Sequence, residues 1–302
     1  MKEENDFLKQ IQEEVNKHIR DSNFTSLPEI DNLSPYDMEL ILYDTFDESS
    51  PIGFSNKIGK KVLAQIPFIS LVYDFLMVVK ESKSIKLTSR GNLPRQLCLD
   101  LYLKGYIKEY FIENGITKLS KEGDSIVLQN MKIVSELSGL IKKRKNVLSL
   151  TKKGNLILDQ RNKEKLLREL FVANCKKFNL GYHDGYPDEV NCNLIFGYTL
   201  YLLLQYGGKE KRLDFYVEKN LSAFPLLLDF FQAGYRSREE QFSSCYGLRV
   251  FERFLTYYGF IACEDFKTLD TSNIPIQTTD IFREVFTLKR KNFKFRKSDY
   301  NA

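Results

Sequence analysis

The sequence predicts a mainly α-helical protein with small β-wings, organised as tandem winged-helix-like units in two lobes. Three observations lead there. Apolar residues recur at three- and four-residue spacing along most of the 302 residues, the period of a helix with one buried stripe. Short β-prone runs interrupt that pattern at only a few points. One phrase also occurs twice: KLTSRGNL at 86–93 and SLTKKGNL at 149–156. In both, a short apolar strand ends at Leu-Thr and Gly-Asn-Leu leads into an amphipathic run. A strand that turns at a glycine and feeds a helix is the edge of a winged-helix-like unit.

Residues 1–30 form an acidic N-terminal segment, with Phe7, Ile11 and Val15 at steps of four on one helix and a loop behind it; the segment is expected to dock on one of the lobes. Ser34-Pro35 can cap and open a second helix, with Asp37 near the positive end of its dipole. Pro67 opens a third, where Phe68, Leu71, Val72, Phe75, Leu76 and Val79 share a stripe. Ile85–Thr88 reads as a strand, Pro94 as a helix start, and 112–126 as an irregular or short β insertion. Met131, Val134, Leu137, Leu140 and Ile141 make the next stripe, running out into a basic turn at Lys142–Lys145. Val147–Thr151 is a strand, Gly154 a turn and Leu156–Phe171 a helix.

This places the first lobe at 31–176. The stretch FNLGYHDGYPDEV at 178–190 is rich in Gly, Tyr and Asp and suits a boundary. The second lobe, 177–302, repeats the order in diverged form. An apolar helix covers 194–206, another runs through Leu213–Leu221, Pro225 opens a short one, and Leu248–Tyr258 ends at Gly259, where a left-handed residue is wanted. Strands at Phe260–Cys263 and Ile274–Gln277 precede a helix at Thr278–Phe286, and the tail LKRKNFKFRK is basic and aromatic.

Composition narrows the function classes. Five widely spaced cysteines without a C-x-x-C pair argue against a disulfide framework and fit a cytoplasmic protein. With only His18 and His183, no structural zinc site is expected. No signal peptide opens the chain, and the most apolar window is too short for a membrane span. No Walker loop, Rossmann fingerprint or H-E-x-x-H motif is present. No catalytic residue, metal or cofactor is therefore assigned. The net charge of +5 divides unevenly: −7 over residues 1–79, +10 over 80–170 and +2 over 171–302. A polyanion would meet the middle third first.

KLTSRGNLPR (Lys86–Arg95) resembles a phrase in uncharacterised bacterial proteins of the plasmid ORF-3-like or SEC-C-associated kind, and LSPYDMELILYDTFDESSPI (Leu33–Ile52) resembles the stretch before it. SLTKKGNLIL is similar to the end of many winged-helix regulators. The resemblance implies a winged-helix-like fold and no activity. The cysteine- and histidine-rich tail of SEC-C proteins is missing, so no zinc role carries over.

The sharpest candidate site is Lys142, Lys143, Arg144 and Lys145 with Lys152 and Lys153. Cations at the end of a third helix and on a wing meet phosphates; otherwise such a run is a solvated turn. Arg90, Asn92 and Arg95 flank Gly91 and are a candidate anion contact, against the plainer reading of a left-handed glycine, an asparagine cap and two surface arginines. The tail's lysines and phenylalanines could stack on single-stranded bases or be a frayed terminus. His183-Asp184 reads as a turn, and Glu239-Glu240 as a helix start. Two functions follow: a non-enzymatic cytoplasmic nucleic-acid-binding or regulatory helix-turn-helix protein, or a protein-interaction scaffold that self-associates. Titration with DNA and light scattering at two salt concentrations separate them.

Overall fold

The computed structural model describes residues 2–263 and 273–289. Helix α1 (Lys2–Phe24) is exposed along nearly its whole length. Leu8, Ile11, Val15 and Ile19 on its apolar stripe face solvent. Its C-terminal end meets the next helix through Phe24 and Tyr36, rings 4.9 Å apart. Helix α2 (Pro35–Tyr43) starts in a capping box: Ser34 accepts from the Asp37 N–H while Asp37 accepts from the Ser34 N–H. Strand β1 (Ile52–Phe54) and helix α3 (Lys60–Gln65) lead to α4 (Pro67–Glu81). Phe68, Leu71, Val72, Phe75, Leu76 and Val79 of α4 are buried as their spacing predicts. Each stabilises the fold by about 1.5–3 kcal/mol relative to exposure.

From α4 the order is β2 (Ile85–Lys86), α5 (Arg95–Tyr102), α6 (Tyr110–Glu113), α7 (Ile126–Leu137), β3 (Ile141–Arg144), β4 (Val147–Leu150), α8 (Lys152–Asp159) and α9 (Lys163–Lys176). The strands form one antiparallel sheet in the order β2-β4-β3. The second half repeats this: α10 (Cys192–Tyr206), β5 (Lys211–Arg212), α11 (Leu213–Ala223), a 3₁₀ turn (Pro225–Phe230), α12 (Arg238–Tyr246) continuing as a π-helix (Gly247–Leu255), β6 (Ile261–Cys263), β7 (Pro275–Thr278) and α13 (Asp280–Val285). Its sheet order, β5-β7-β6, is the same permutation. Strand β8 (Phe286–Leu288) then pairs antiparallel with β1. The chain is thus mainly α with small antiparallel sheets.

The two halves also close alike. Gly139 and Gly259 end the helices that precede β3 and β6 at φ 71° and 65°, a conformation that costs glycine nothing. Thr151 and Thr279 then cap the closing helices, and each hydroxyl donates to its glycine's carbonyl at 2.7 Å. Their N–H groups donate to Leu140 and Phe260, both at 3.0 Å.

Several expectations are corrected. Ile141 belongs to β3, because left-handed Gly139 stops α7 two residues earlier. Gly154 lies inside α8 and is not a turn; a side chain there would meet the Leu140 carbonyl at 2.2 Å, so the glycine serves a close approach. The expected helix 156–171 is two helices broken at Arg161, whose φ is 51°. Of the two forms expected for 112–126 the irregular one is found: the end of α6, a turn and a 3₁₀ segment at Glu122–Asp124, without a strand. Asn92 caps no helix, since Pro94 occupies that position for α5. The basic tail from Arg290 lies outside the described residues.

One cluster of buried apolar side chains runs from Leu33 to Phe286. Phe171 of α9 sits at a crossing of both halves, within 6 Å of the rings of Phe196, Phe254, Tyr258, Phe260 and Phe286. Cys98, Cys175, Cys192 and Cys245 are buried free thiols. Among the described residues no helix is long and apolar enough to cross a membrane.

Candidate nucleic-acid interface

The basic run is a β-hairpin. Arg144 pairs with Val147, so Lys145-Asn146 is a two-residue loop, and both residues have positive φ, 48° and 62°. That is the type I′ turn whose twist suits a hairpin. Asn146 fixes the turn by donating from its side chain to the Thr88 carbonyl at 2.7 Å, while its own carbonyl accepts from the Leu87 N–H at 2.9 Å.

Alternation along the strands sorts the cations. Ile141 and Leu148 point to the core, which puts Lys142 and Arg144 on the solvent face with Ser149 and Val147. Lys143 shares the core-side face but lies at the edge, its Nζ only 3.0 Å from where a Gly91 side chain would start. Lys142, Lys143, Arg144, Lys145 and Lys152 are exposed and carry no ion pair among the described residues. Lys153 is different: it donates to the Ser138 carbonyl at 2.8 Å and is ion-paired with Glu169. It ties α8 to α9 and is withdrawn from the free cations.

The first phrase lies beside this hairpin. Thr88 and Asn92 close a tight turn, with Thr88 N–H to Asn92 O at 2.9 Å and Gly91 at φ 80°. Lys132 of α7 donates to the Gly91 carbonyl and pairs with buried Glu122, which itself accepts from the Leu93 N–H. The glycine turn is therefore a structural joint. Arg90 and Arg95 project from it exposed, and Asn92 is half-buried. Lys143 approaches the turn at Gly91.

The helices that precede β3 and β6 are covered. Along α7 only Glu136 is exposed, and the Gln129 side chain accepts from the Tyr182 hydroxyl at 3.2 Å. The segment 178–190 is strapped in place by a charge the sequence did not reveal. Arg249, in the π-helix, holds Asp184 in a two-pronged pair, and each side chain is 1% exposed. It also donates to the Val190 carbonyl at 2.5 Å. Burial alone would lower the pKa of Arg249, but the Asp184 carboxylate and its hydrogen bonds turn the shift upward. Arg253 donates to the Tyr182 and His183 carbonyls. Asp184 is thus a buried anchor, not a plain turn residue. No local pattern marks a partner 65 residues away; a lone Asp in a Gly/Tyr loop is the only signal.

Among the described residues no group of three His, Cys, Asp or Glu converges to hold a metal ion. An open cleft of about 1030 Å³ lies between the segment around Tyr186 and the loop 229–236, and neither histidine, cysteine nor serine lines it. Helix α12 beside it starts as expected at Ser237–Glu240, a second capping box. Comparison with protein-family models, curated proteins and solved structures finds no match.

Proposed function

We propose that the chain is a non-enzymatic, cytoplasmic nucleic-acid-binding protein built from two winged-helix-like units, and that it contacts phosphates through the hairpin of the first. The shared order of helix, strand, helical stretch, two strands and closing helix supports the unit, as does the shared sheet permutation. The observation that carries the function is the set of exposed cations on one hairpin, unpaired among the described residues: Lys142, Lys143, Arg144 and Lys145, with Lys152 nearby. Burial of α7 argues against a helix laid in the major groove to read bases. Binding would be electrostatic and indifferent to sequence. Titration with a duplex at two salt concentrations tests it. Binding at low salt that weakens steeply as salt rises, and is lost when Lys142, Lys143 and Arg144 become Glu, is the expected result. No binding at low salt, or binding that survives the reversal, overturns it.

A second reading, the self-associating scaffold, rests on α1. Phe7, Leu8, Ile11, Val15 and Ile19 are 42–62% exposed on one stripe. The acidic balance of residues 1–79 complements the basic middle third of a second copy. Light scattering that reports a dimer indifferent to DNA would favour it.

A further inference from the structure

We infer that Lys86 of β2, which the sequence pattern left out of the basic cluster, completes a three-cation face with Lys142 and Arg144 that binds one phosphodiester backbone of a duplex. This rests on the nucleic-acid reading above and names its ligand geometry.

The register places the three residues together. Lys86 is opposite Val147, and Val147 is opposite Arg144, so the three side chains lie in one row across β2, β4 and β3. Directly paired residues in an antiparallel sheet share a face. Lys142, two residues along β3 from Arg144, returns to that same face opposite Ser149. Ile85, Leu148 and Ile141 fill the other face and are buried, which fixes which way the cations point. Strands lie about 4.8 Å apart and alternate residues about 6.8 Å apart along a strand. The cations therefore occupy a patch about 10 Å across, less than the ~12 Å width of the major groove. A patch of that size follows one backbone and does not bridge two.

The second sheet supplies an internal control. Arg212 holds the equivalent place, the last residue of the first strand opposite the first residue of the third, Pro275. There the charge is neutralised within the chain: Arg212 is ion-paired with Asp214 at 2.5 Å, and its neighbour Lys211 lies 5.2 Å from the centre of the Phe215 ring. Lys86, Lys142 and Arg144 have no such partner among the described residues. One fold position thus carries a cation twice, and only the copy in the first sheet is left for an external anion.

The face also selects duplex over single strand. Its remaining members are Val147 and Ser149, and neither can stack on a base. Single-strand binders add aromatic platforms to their cations, and this face has none.

The test is the salt dependence of binding to a 20-base-pair duplex of mixed sequence, followed by fluorescence anisotropy on the full chain. Each phosphate contact contributes about −0.9 to the slope of log K against log salt, so Lys86→Gln makes the slope shallower by about 0.9. Arg212→Gln makes the same change in net charge and leaves the slope where it was. A matching single strand binds more weakly than the duplex. Wild-type protein that ignores the duplex at low salt removes the nucleic-acid reading itself. If wild type binds, three results overturn the present inference alone: an unchanged slope in Lys86→Gln, an equal drop in Arg212→Gln, or tighter binding of the single strand. Lys86 is exposed, so circular dichroism of the variant is expected to match wild type.

Discussion

Replacing Arg249 with methionine would strip the strap over α7 of its anchor. The guanidinium and its partner Asp184 are each 1% exposed, so the carboxylate left behind has no water to turn to. The Val190, Tyr186 and Pro187 carbonyls lose a donor as well. Breaking a buried pair from one side costs about 3–5 kcal/mol, because one charge stays buried and uncompensated. With a urea m-value of about 3 kcal/mol/M, the unfolding midpoint falls by roughly 1–1.7 M. The same variant opens 178–190 to protease and to amide exchange before the rest of the chain. Pairing Arg249→Met with Asp184→Leu removes both charges and recovers more than half of the loss, since a neutral pair pays no desolvation penalty. A single variant that loses less than about 1 kcal/mol would refute the reasoning, and so would a double variant that loses the full sum of the two singles.

Thr151→Val and Thr279→Val each remove a helix cap and a hydroxyl bond to a glycine carbonyl. Each is expected to lose about 0.5–2 kcal/mol in urea unfolding, and similar losses would show that the two closures do the same job. Cys98 and Cys175 are pushed up to about 12 by burial. Those two, and buried Cys192 and Cys245, should stay unlabelled by a thiol reagent in the native protein and react on unfolding. Burial raises the Glu109 carboxyl above its ordinary 4.5, against hydrogen bonds from Ser125 and the Ile126 N–H that pull it down. A raised carboxyl pKa means that stability is fully present below the ordinary value and is lost as pH climbs through the raised one. Glu109→Gln should therefore gain stability relative to wild type as pH rises from 4.5, measured as urea midpoints across that window.

Local chemistry carried much of the fold into the sequence. Ser34 with Asp37, Pro67, and Gly259 after the 248–258 stripe each act on their own neighbours, so their elements appear nearly where expected. The errors arise where two local signals compete. Ile141 fits the helical stripe of Val134 and Leu137, yet Ser138-Gly139 is itself a helix ending, and glycine at φ 71° prevails. A run of four cations looks like a turn until the Lys145-Asn146 corner and the VLSL strand after it are taken as a hairpin. The two copies of the repeated phrase differ for a tertiary reason. Gly91 is needed for its left-handed backbone, whereas Gly154 is needed because Leu140 passes too close for a side chain. Of the candidate site, the cations of the hairpin were legible as charge. Their sorting into two faces, the loss of Lys153 to Glu169, and the covering of α7 depend on partners distant in sequence.

The pairing of β1 with β8 has a consequence for how the molecule is made. Ile52 meets Leu288 and Phe54 meets Phe286, and Lys289 reaches back to the Pro51 and Asp47 carbonyls. During synthesis, at about 5–20 residues per second, β1 leaves the ribosome and then waits for roughly 230 further residues before its partner exists. Over that interval an apolar edge strand and the Phe46 and Phe54 rings that Phe286 will cover stand open to other chains. Nascent protein halted before residue 286 is therefore the species most prone to sticking, and β8 is the strand that seals it.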